Sequence, residues 1–534
     1  MSPRSSFTRK IIYLVGIALL LGPLFWLSHP STLEAPGGQL AQYRAAHGLS
    51  EAQLGDIDPT GQTIKLATLG LRGVAVNVLW EKANDYRKKK DWTGYSAVLT
   101  QIAKLEPHFI AVWRHQAWNL SYNVSVEFDD YRGRYAWVIK GIEFLKEGIR
   151  YNERVPILYW DVGWYTAQKI GRADESKQFR EMFKDDDDYH GRVPREFRDN
   201  WLVGKKWFLD AQKLVDDGAP LKGTSPVLFH SDPAMCQMNY GEGLENDGIF
   251  GERAKRAWAQ AQTEWYEYGL RDIPTSRGDT IHLNDREVYQ KELRETEAKL
   301  AELAPGLRDQ IAAEKEAKLT ARERAALAKP YQDRTDQEHE TVMVANHKLE
   351  VTWNEVAQRV TGPNRAKALE LAERFRKVQE REAIITSYRQ IVNFEYWRRR
   401  AEVEQTPEAL AARQAIFEAD QAFAKADLPA ADESFKRGLA EWRKLIDRSD
   451  FADIGNDSNF MEVVVETIGR YQRLLEKRDE ELPPDFILQD ILDRFGYLDE
   501  NYRVERAQGE ESQSTGSTPS NSPPGAAASS PPGG

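Results

Sequence analysis

Soft metal-binding side chains are concentrated in one stretch of this sequence, HSDPAMCQM, where His230, Met235, Cys236 and Met238 fall together. Imidazole, thiolate and thioether are the donors that a soft ion such as copper(I) prefers. The same stretch also reads as a helix start, with Asp232 as cap, Pro233 at the first helical position and the sulfur side chains turned into a core. The core reading needs no ion, and no metal ligand is assigned. His339 and His347 stand about two helical turns apart, too far for a shared ligand pair of the i, i+4 kind. The run KDDDDYH, Lys184 to His190, lacks the spaced oxygens and the glycine of a calcium loop and is expected as a solvated acidic loop.

Motifs of other chemistries are missing: no GxxxxGK[ST], GxSxG, HExxH or CxxCH occurs, and GEGLENDG, Gly241 to Gly248, follows no strand. Carboxylates are abundant, yet no pair can be set face to face without a fold. No catalytic residue and no cofactor is therefore expected, and binding is the better reading.

The elements that would carry such binding are helical. The 534 residues are 41% hydrophobic and 29% charged, with a net charge of −11, which argues against a nucleic-acid partner. The one cysteine excludes an intrachain disulfide. Residues 1–27 combine a basic start (Arg4, Arg9, Lys10) with an uncharged run from Ile11 to Leu27, about 26 Å long as a helix. No further Lys or Arg appears before Arg44, so the positive-inside rule places the N-terminus in the cytoplasm and the body outside. An uncleaved anchor is favoured over a cleaved signal peptide, because no small-x-small site follows the run. Residues 28–62 read as a linker, and 501–534, rich in Pro, Ser and Gly, as a disordered tail.

Between them, amphipathic runs alternate with Gly, Pro or Asp breaks and no sustained alternation suggests a sheet. DTIHLND, Asp279 to Asp285, reads as a loop. A 34-residue period emerges when Pro107 is taken as the end of a unit beginning at Val76. Ala83, Tyr86, Asp91-Trp92, Leu99 and Leu105-Glu106-Pro107 then fall in register, and the next unit opens at Ile110 with Trp113 and Ala117. The second helices show small-large-small spacing at Gly141-Leu145-Gly148, Ala254-Trp258-Ala261 and Ala431-Phe435-Gly438. The first unit departs from it, with Tyr95 and Ile102 at the small positions. A third start, Pro156 to Gly171, holds Tyr159 and Gly163 in register before a poorly matching second helix.

These residues resemble the tetratricopeptide-repeat superfamily over 76–170, and in part near 232–270 and 410–446. The whole chain is similar to bacterial membrane-anchored proteins with divergent repeats of this kind. The resemblance implies an all-α, tetratricopeptide-like α-solenoid that binds protein. The expected organisation is an anchor at 1–27, a linker at 28–62 and helical repeats at 63–272. A loop and charged helical hairpin at 273–340, broken at Pro305-Gly306, would precede a second helical region at 341–500 and the tail. Ala368 to Arg400 is expected as one long helix.

By repeat register, Asn84, Arg87, Lys88, Arg114 and Trp118 face the concave side, where the superfamily binds its partners. Asn84 matches the asparagine of the family's carboxylate clamp, but Trp80 stands where a basic residue is wanted, which puts a C-terminal-carboxylate clamp in doubt. The expected protein is a single-pass scaffold of a bacterial inner membrane, held through residues 11–27, with an unidentified protein as partner. The alternatives are an envelope enzyme or its accessory subunit using 230–238, and a structural protein that self-associates as a homo-oligomer.

Overall fold

Wherever amphipathic runs are bounded by capping residues, helices form. The computed structural model describes residues 72–221, 223–275 and 277–498, with 15–17, 19–23, 26–27, 38–39 and 42–43 near the N-terminus. The fold is all-α, and two compact units divide at Tyr240/Gly241, inside one helix. Part of the expected anchor (11–14, 18, 24–25), most of the linker and the tail lie outside the described residues. Among those described, no helix is long and apolar enough to cross a membrane.

The first unit contains α1 (Arg72–Lys88), α2 (Trp92–Leu105), α3 (Ile110–Trp118), α4 (Tyr131–Tyr151), α5 (Pro156–Trp164), α6 (Ser176–Asp185) and α7 (Asn200–Asp216). α8 (Asp232–Asn246) begins in this unit and runs past Tyr240 into the second. α1 pairs with α2 and α3 with α4, as the 34-residue spacing predicts. Asp91 caps α2 by accepting the Gly94 amide at 2.9 Å. Trp113 is 1% exposed, donates its indole N–H to the Pro107 carbonyl at 2.8 Å, and rests on Gly148. Gly141 meets Ala117 and Ser121 across the same crossing, where a Cβ would have no room.

The third start pairs differently. α5 packs along α7, and the intervening segment forms α6 and a helical turn, Asp187–His190. Gly163 and Gly204 supply the close crossing: a Cβ on Gly163 would come within 2.9 Å of the Phe208 ring, and one on Gly204 within 2.8 Å of Ala167. The poor match after Gly171 coincides with α6 and the Asp187–His190 turn, which stand between α5 and its partner α7. The acidic run is solvated, as expected, but it is helical rather than a loop. Asp186 accepts the Tyr135 hydroxyl at 2.8 Å, while Arg198 and Arg195 hold Asp187 and Asp185, each at 2.7 Å.

The second unit continues with α9 (Glu252–Leu270), α10 (Arg286–Leu303), α11 (Leu307–Ala317), α12 (Ala321–Ala328), α13 (Asp336–Leu349) and α14 (Trp353–Arg359). Then follow α15 (Arg365–Ile391), α16 (Phe394–Glu404), α17 (Pro407–Ala424), α18 (Leu428–Ile446), α19 (Ser458–Glu476) and α20 (Gln489–Phe495). The 279–285 stretch, expected as a loop, closes a small hairpin: β1 (Ile273–Pro274) pairs antiparallel with β2 (Thr280–Ile281). Its two isoleucines, Ile273 and Ile281, are opposite each other and buried, which gives the pairing an apolar face.

The break at Pro305-Gly306 is present, with Gly306 left-handed at φ 68°. The helices on either side do not stand as a separate hairpin. α10 lies along α15 and α11 against α13 and α14, so Leu300 and Ile311 join Trp353, Val356 and Leu371 in one core. The expected long helix to Arg400 stops at Ile391, where Asn393 turns left-handed at φ 49° and α16 starts anew. Asparagine tolerates that conformation better than most residues. α17 and α18 form a close antiparallel pair at Gly438, whose missing Cβ makes room for Ile416.

Candidate interaction site

Two helices in the first unit, α1 and α3, carry the side chains singled out by repeat register: Asn84, Arg87 and Lys88 on the first, Arg114 and Trp118 on the second. Asn84 is half-buried and accepts a hydrogen bond from Arg87 at 2.8 Å, while Arg87 and Lys88 are exposed in the last turn of α1. A basic pair suits that position, where unpaired carbonyls leave partial negative charge. His115, one helix on, is pushed below the ordinary histidine range by burial and by the nearby Arg87 charge. Trp118 is 45% exposed and packs against the His115 ring, 6.0 Å between centroids.

Arg114 is not a free cation on this face. It reaches 47 residues along the chain to Asp161 on α5, donating at 2.5 Å from Nε and at 3.1 Å from Nη2. Since both carboxylate oxygens accept, Asp161 is held ionised in this contact. Burial pushes the Asp161 carboxyl up and Arg114 pulls it back; burial opposes the Arg114 charge, and Asp161 holds that charge in place. The pair ties α3 to α5.

Both helices end in a wider turn at the same point. From Ile110 to Asn119 and from Pro156 to Tyr165 is the same step, and each leads into a π-helical turn, Asn119–Val124 and Tyr165–Lys169. The i→i−5 bonds are explicit: the Ser125 amide donates to Leu120 and the Ile170 amide to Tyr165. Such a turn displaces backbone carbonyls from their usual donors, and side chains take them up. Ser125 Oγ donates to the Ser121 carbonyl at 2.6 Å, and buried Asn200 donates to the Ala167 carbonyl at 3.0 Å.

Trp118 and Trp164 are the residues immediately before the two turns. Around them aromatic rings continue from helix to helix. Tyr122 meets Tyr165 at 5.7 Å, with the Lys169 ammonium 4.4 Å from the Tyr122 centroid. Burial raises the Tyr122 phenol, and the Trp164 indole draws it partly back. Trp164 stacks on Trp160 at 5.2 Å and 19°. Trp160 donates its indole N–H to Asp232, at the start of α8, at 2.7 Å. Burial pushes that carboxyl up to about 6.

These contacts run from α3 to α5 and on to α8 through Arg114–Asp161, Tyr122–Tyr165, the Trp160–Trp164 stack and Trp160–Asp232. Trp118 lies beside His115 on α3, and Arg87 and Lys88 are exposed at the end of α1. Apolar rings with fixed polar groups among them suit an extended or helical peptide better than a reacting small molecule. Repeat register singled out only Asn84, Arg87, Lys88, Arg114 and Trp118. It missed Asp161, Trp160, Trp164, Tyr122 and Asp232; the tryptophans in PILYWDVGW were the available signal.

The stretch His230 to Met238 is placed inside. α8 starts at Asp232, Cys236 packs against Ala167, Trp201 and Phe208, and Met238 is buried. His230, also buried, lies 3.2 Å from Gln212 through Nδ1. His347 is exposed beside Glu350, and His339 packs on Tyr331. Among the described residues no group of His, Cys, Asp and Glu side chains is arranged to hold a metal ion.

Compared with protein-family models, with curated proteins and with solved structures, the chain matches none.

Proposed function

We propose that this protein is a membrane-anchored, tetratricopeptide-like α-solenoid scaffold that binds a segment of another protein through these residues, from Arg87 and Lys88 to Asp232. The single observation that carries the reading is the set of contacts among α3, α5 and α8. Arg114–Asp161 and Tyr122–Tyr165 tie α3 and its following turn to α5, Trp160–Asp232 ties α5 to α8, and Trp118 on α3 remains open to solvent. In this reading the anchor is the uncharged run from Ile11 to Leu27, the body lies on the extracytoplasmic side of a bacterial inner membrane, and the chain makes no bonds of its own. Trp118 and the part-exposed Trp160 and Trp164 would supply affinity as a partner covers them, and Arg87 and Lys88 would steer the partner.

The test is a photo-crosslinking residue at Trp118 in the full-length chain in its membrane. A discrete protein captured there, and lost when Arg87→Glu and Lys88→Glu are combined, supports the scaffold. Crosslinks confined to copies of this chain would replace it with self-association.

A further inference from the structure

Within the second unit, charge is gathered where water is not. Glu404, the last residue of α16, has a side chain with no exposure at all. Arg413 from α17 grips it through both carboxylate oxygens, with Nε at 3.1 Å from Oε2. Arg400, one turn back on α16, lies 3.5 Å from the same carboxylate and 3.5 Å from Glu242 on α8. The guanidinium of Arg413 also lies 5.2 Å from the Trp442 ring, and that of Arg400 5.8 Å from Trp258, which adds cation–π attraction.

A third carboxyl enters from α8. Glu245 is 6% exposed, and its Oε1 accepts the indole N–H of Trp258 on α9 at 2.8 Å. The groups facing it are therefore Glu404 and Arg400 from α16, Arg413 from α17, Glu242 from its own helix and Trp258 from α9. Tyr396 on α16 faces the same arginines and Glu404, with its phenol raised by burial. Three carboxyls thus share two guanidiniums. Two of the three are bonded to arginine, and the one left with an indole donor is Glu245. An unpaired carboxylate buried beside another is strongly unfavourable, and binding a proton removes the cost.

We propose that closing α8 and α9 onto α16 and α17 captures one proton on Glu245, so that this contact tightens in acid and opens as the solution becomes alkaline. Burial and the neighbouring Glu404 charge push the Glu245 carboxyl up to about 8, whereas burial of Glu404 is outweighed by Arg413 and Arg400, which hold it ionised. The sign follows from linkage. A carboxyl with a raised pKa when closed binds its proton more tightly than when open. Its contribution to closure is complete below the solvated value of about 4.3 and is lost as pH rises toward 8. Between pH 6 and pH 8 the opening equilibrium should rise about fifty-fold, then level off.

Hydrogen exchange of the full chain, followed by mass spectrometry on peptides of α9 and α16, reads that opening. Glu245→Gln keeps the acceptor for Trp258 and cannot ionise. Compared at each pH, wild type should open about fifty-fold more relative to E245Q at pH 8 than at pH 6. A constant ratio across the range would overturn the proposal. An independent readout needs no variant: with glutamate carboxyls labelled by carbon-13, infrared spectra of wild type should show a protonated glutamate that titrates near pH 8. No protonated glutamate at pH 7 would overturn it as well.

Discussion

The indole of Trp113 lies directly on Gly148: a Cβ at that glycine would sit 2.8 Å from the ring. The contact joins the first helix of one pair to its second, and both residues are buried. Gly148→Ala should therefore lose stability even though alanine is the better helix former. Overpacking costs about 1–3 kcal/mol and exceeds the propensity gain of about 1 kcal/mol. Thermal unfolding checks it, and an unchanged or higher midpoint would show that the indole can give way.

Arg114 and Asp161 are unequal partners. The arginine side chain is 45% exposed and the aspartate 9%. Arg114→Met strands a buried carboxylate, whereas Asp161→Asn leaves a guanidinium that water can reach. After discounting for solvent at the arginine, the first should cost about 2 kcal/mol and the second less than about 1 kcal/mol. Denaturant titrations of both variants give the comparison. A larger loss in D161N would reverse the assignment of which charge depends on the other.

Ala426 closes α17 in the left-handed conformation, φ 59°. The Asp427 amide donates to Ala422 and the Ala426 amide to Phe423, each at 2.9 Å, which is a Schellman closure with alanine where glycine is preferred. Ala426→Gly should stabilise by about 1 kcal/mol. Chemical denaturation at constant pH is sufficient to see it; a destabilised variant would mean that unfolded-chain entropy dominates at this turn.

His282 clips the small hairpin. Its Nε2 lies 2.8 Å from Asp272 and its Nδ1 3.0 Å from Asp285, and these two carboxylates raise its pKa, Asp272 most. A histidine raised on folding stabilises fully below its unfolded value near 6.5, and that stabilisation is lost as pH rises through the folded value. Exchange at the Ile273 and Ile281 amides should accelerate over that window beyond the intrinsic rate. In His282→Gln the extra acceleration should vanish. Persistence of the slope in that variant would place its origin elsewhere.

Much of the helical punctuation was legible. Asp91 before Trp92, Pro156 after Val155, and Asp427 before Leu428-Pro429 mark helix starts because capping depends on residues within one turn. Repeat register also marked Trp113 and Gly148 as residues of one helix pair, while their direct contact appears only in the fold. Three breaks were less legible. The left-handed Asn393 interrupts an otherwise continuous helical run, the 279–285 strand is too short for a period to show, and the π turns after Trp118 and Trp164 have no marker in composition.

For the site, the sequence by itself determined which residue types lie on the first helices: the basic end of α1, Arg114 and the exposed Trp118. Tertiary structure alone decided what those residues do to one another. Arg114 became a structural tie because Asp161, distant in sequence, was brought against it when α5 packed on α3 and α4. Glu245 was likewise one glutamate among many until folding set it beside Glu404, Arg413 and Arg400. Local propensity acts over a turn of helix, while a carboxyl's burial and charged neighbours are set by contacts made only when distant segments close.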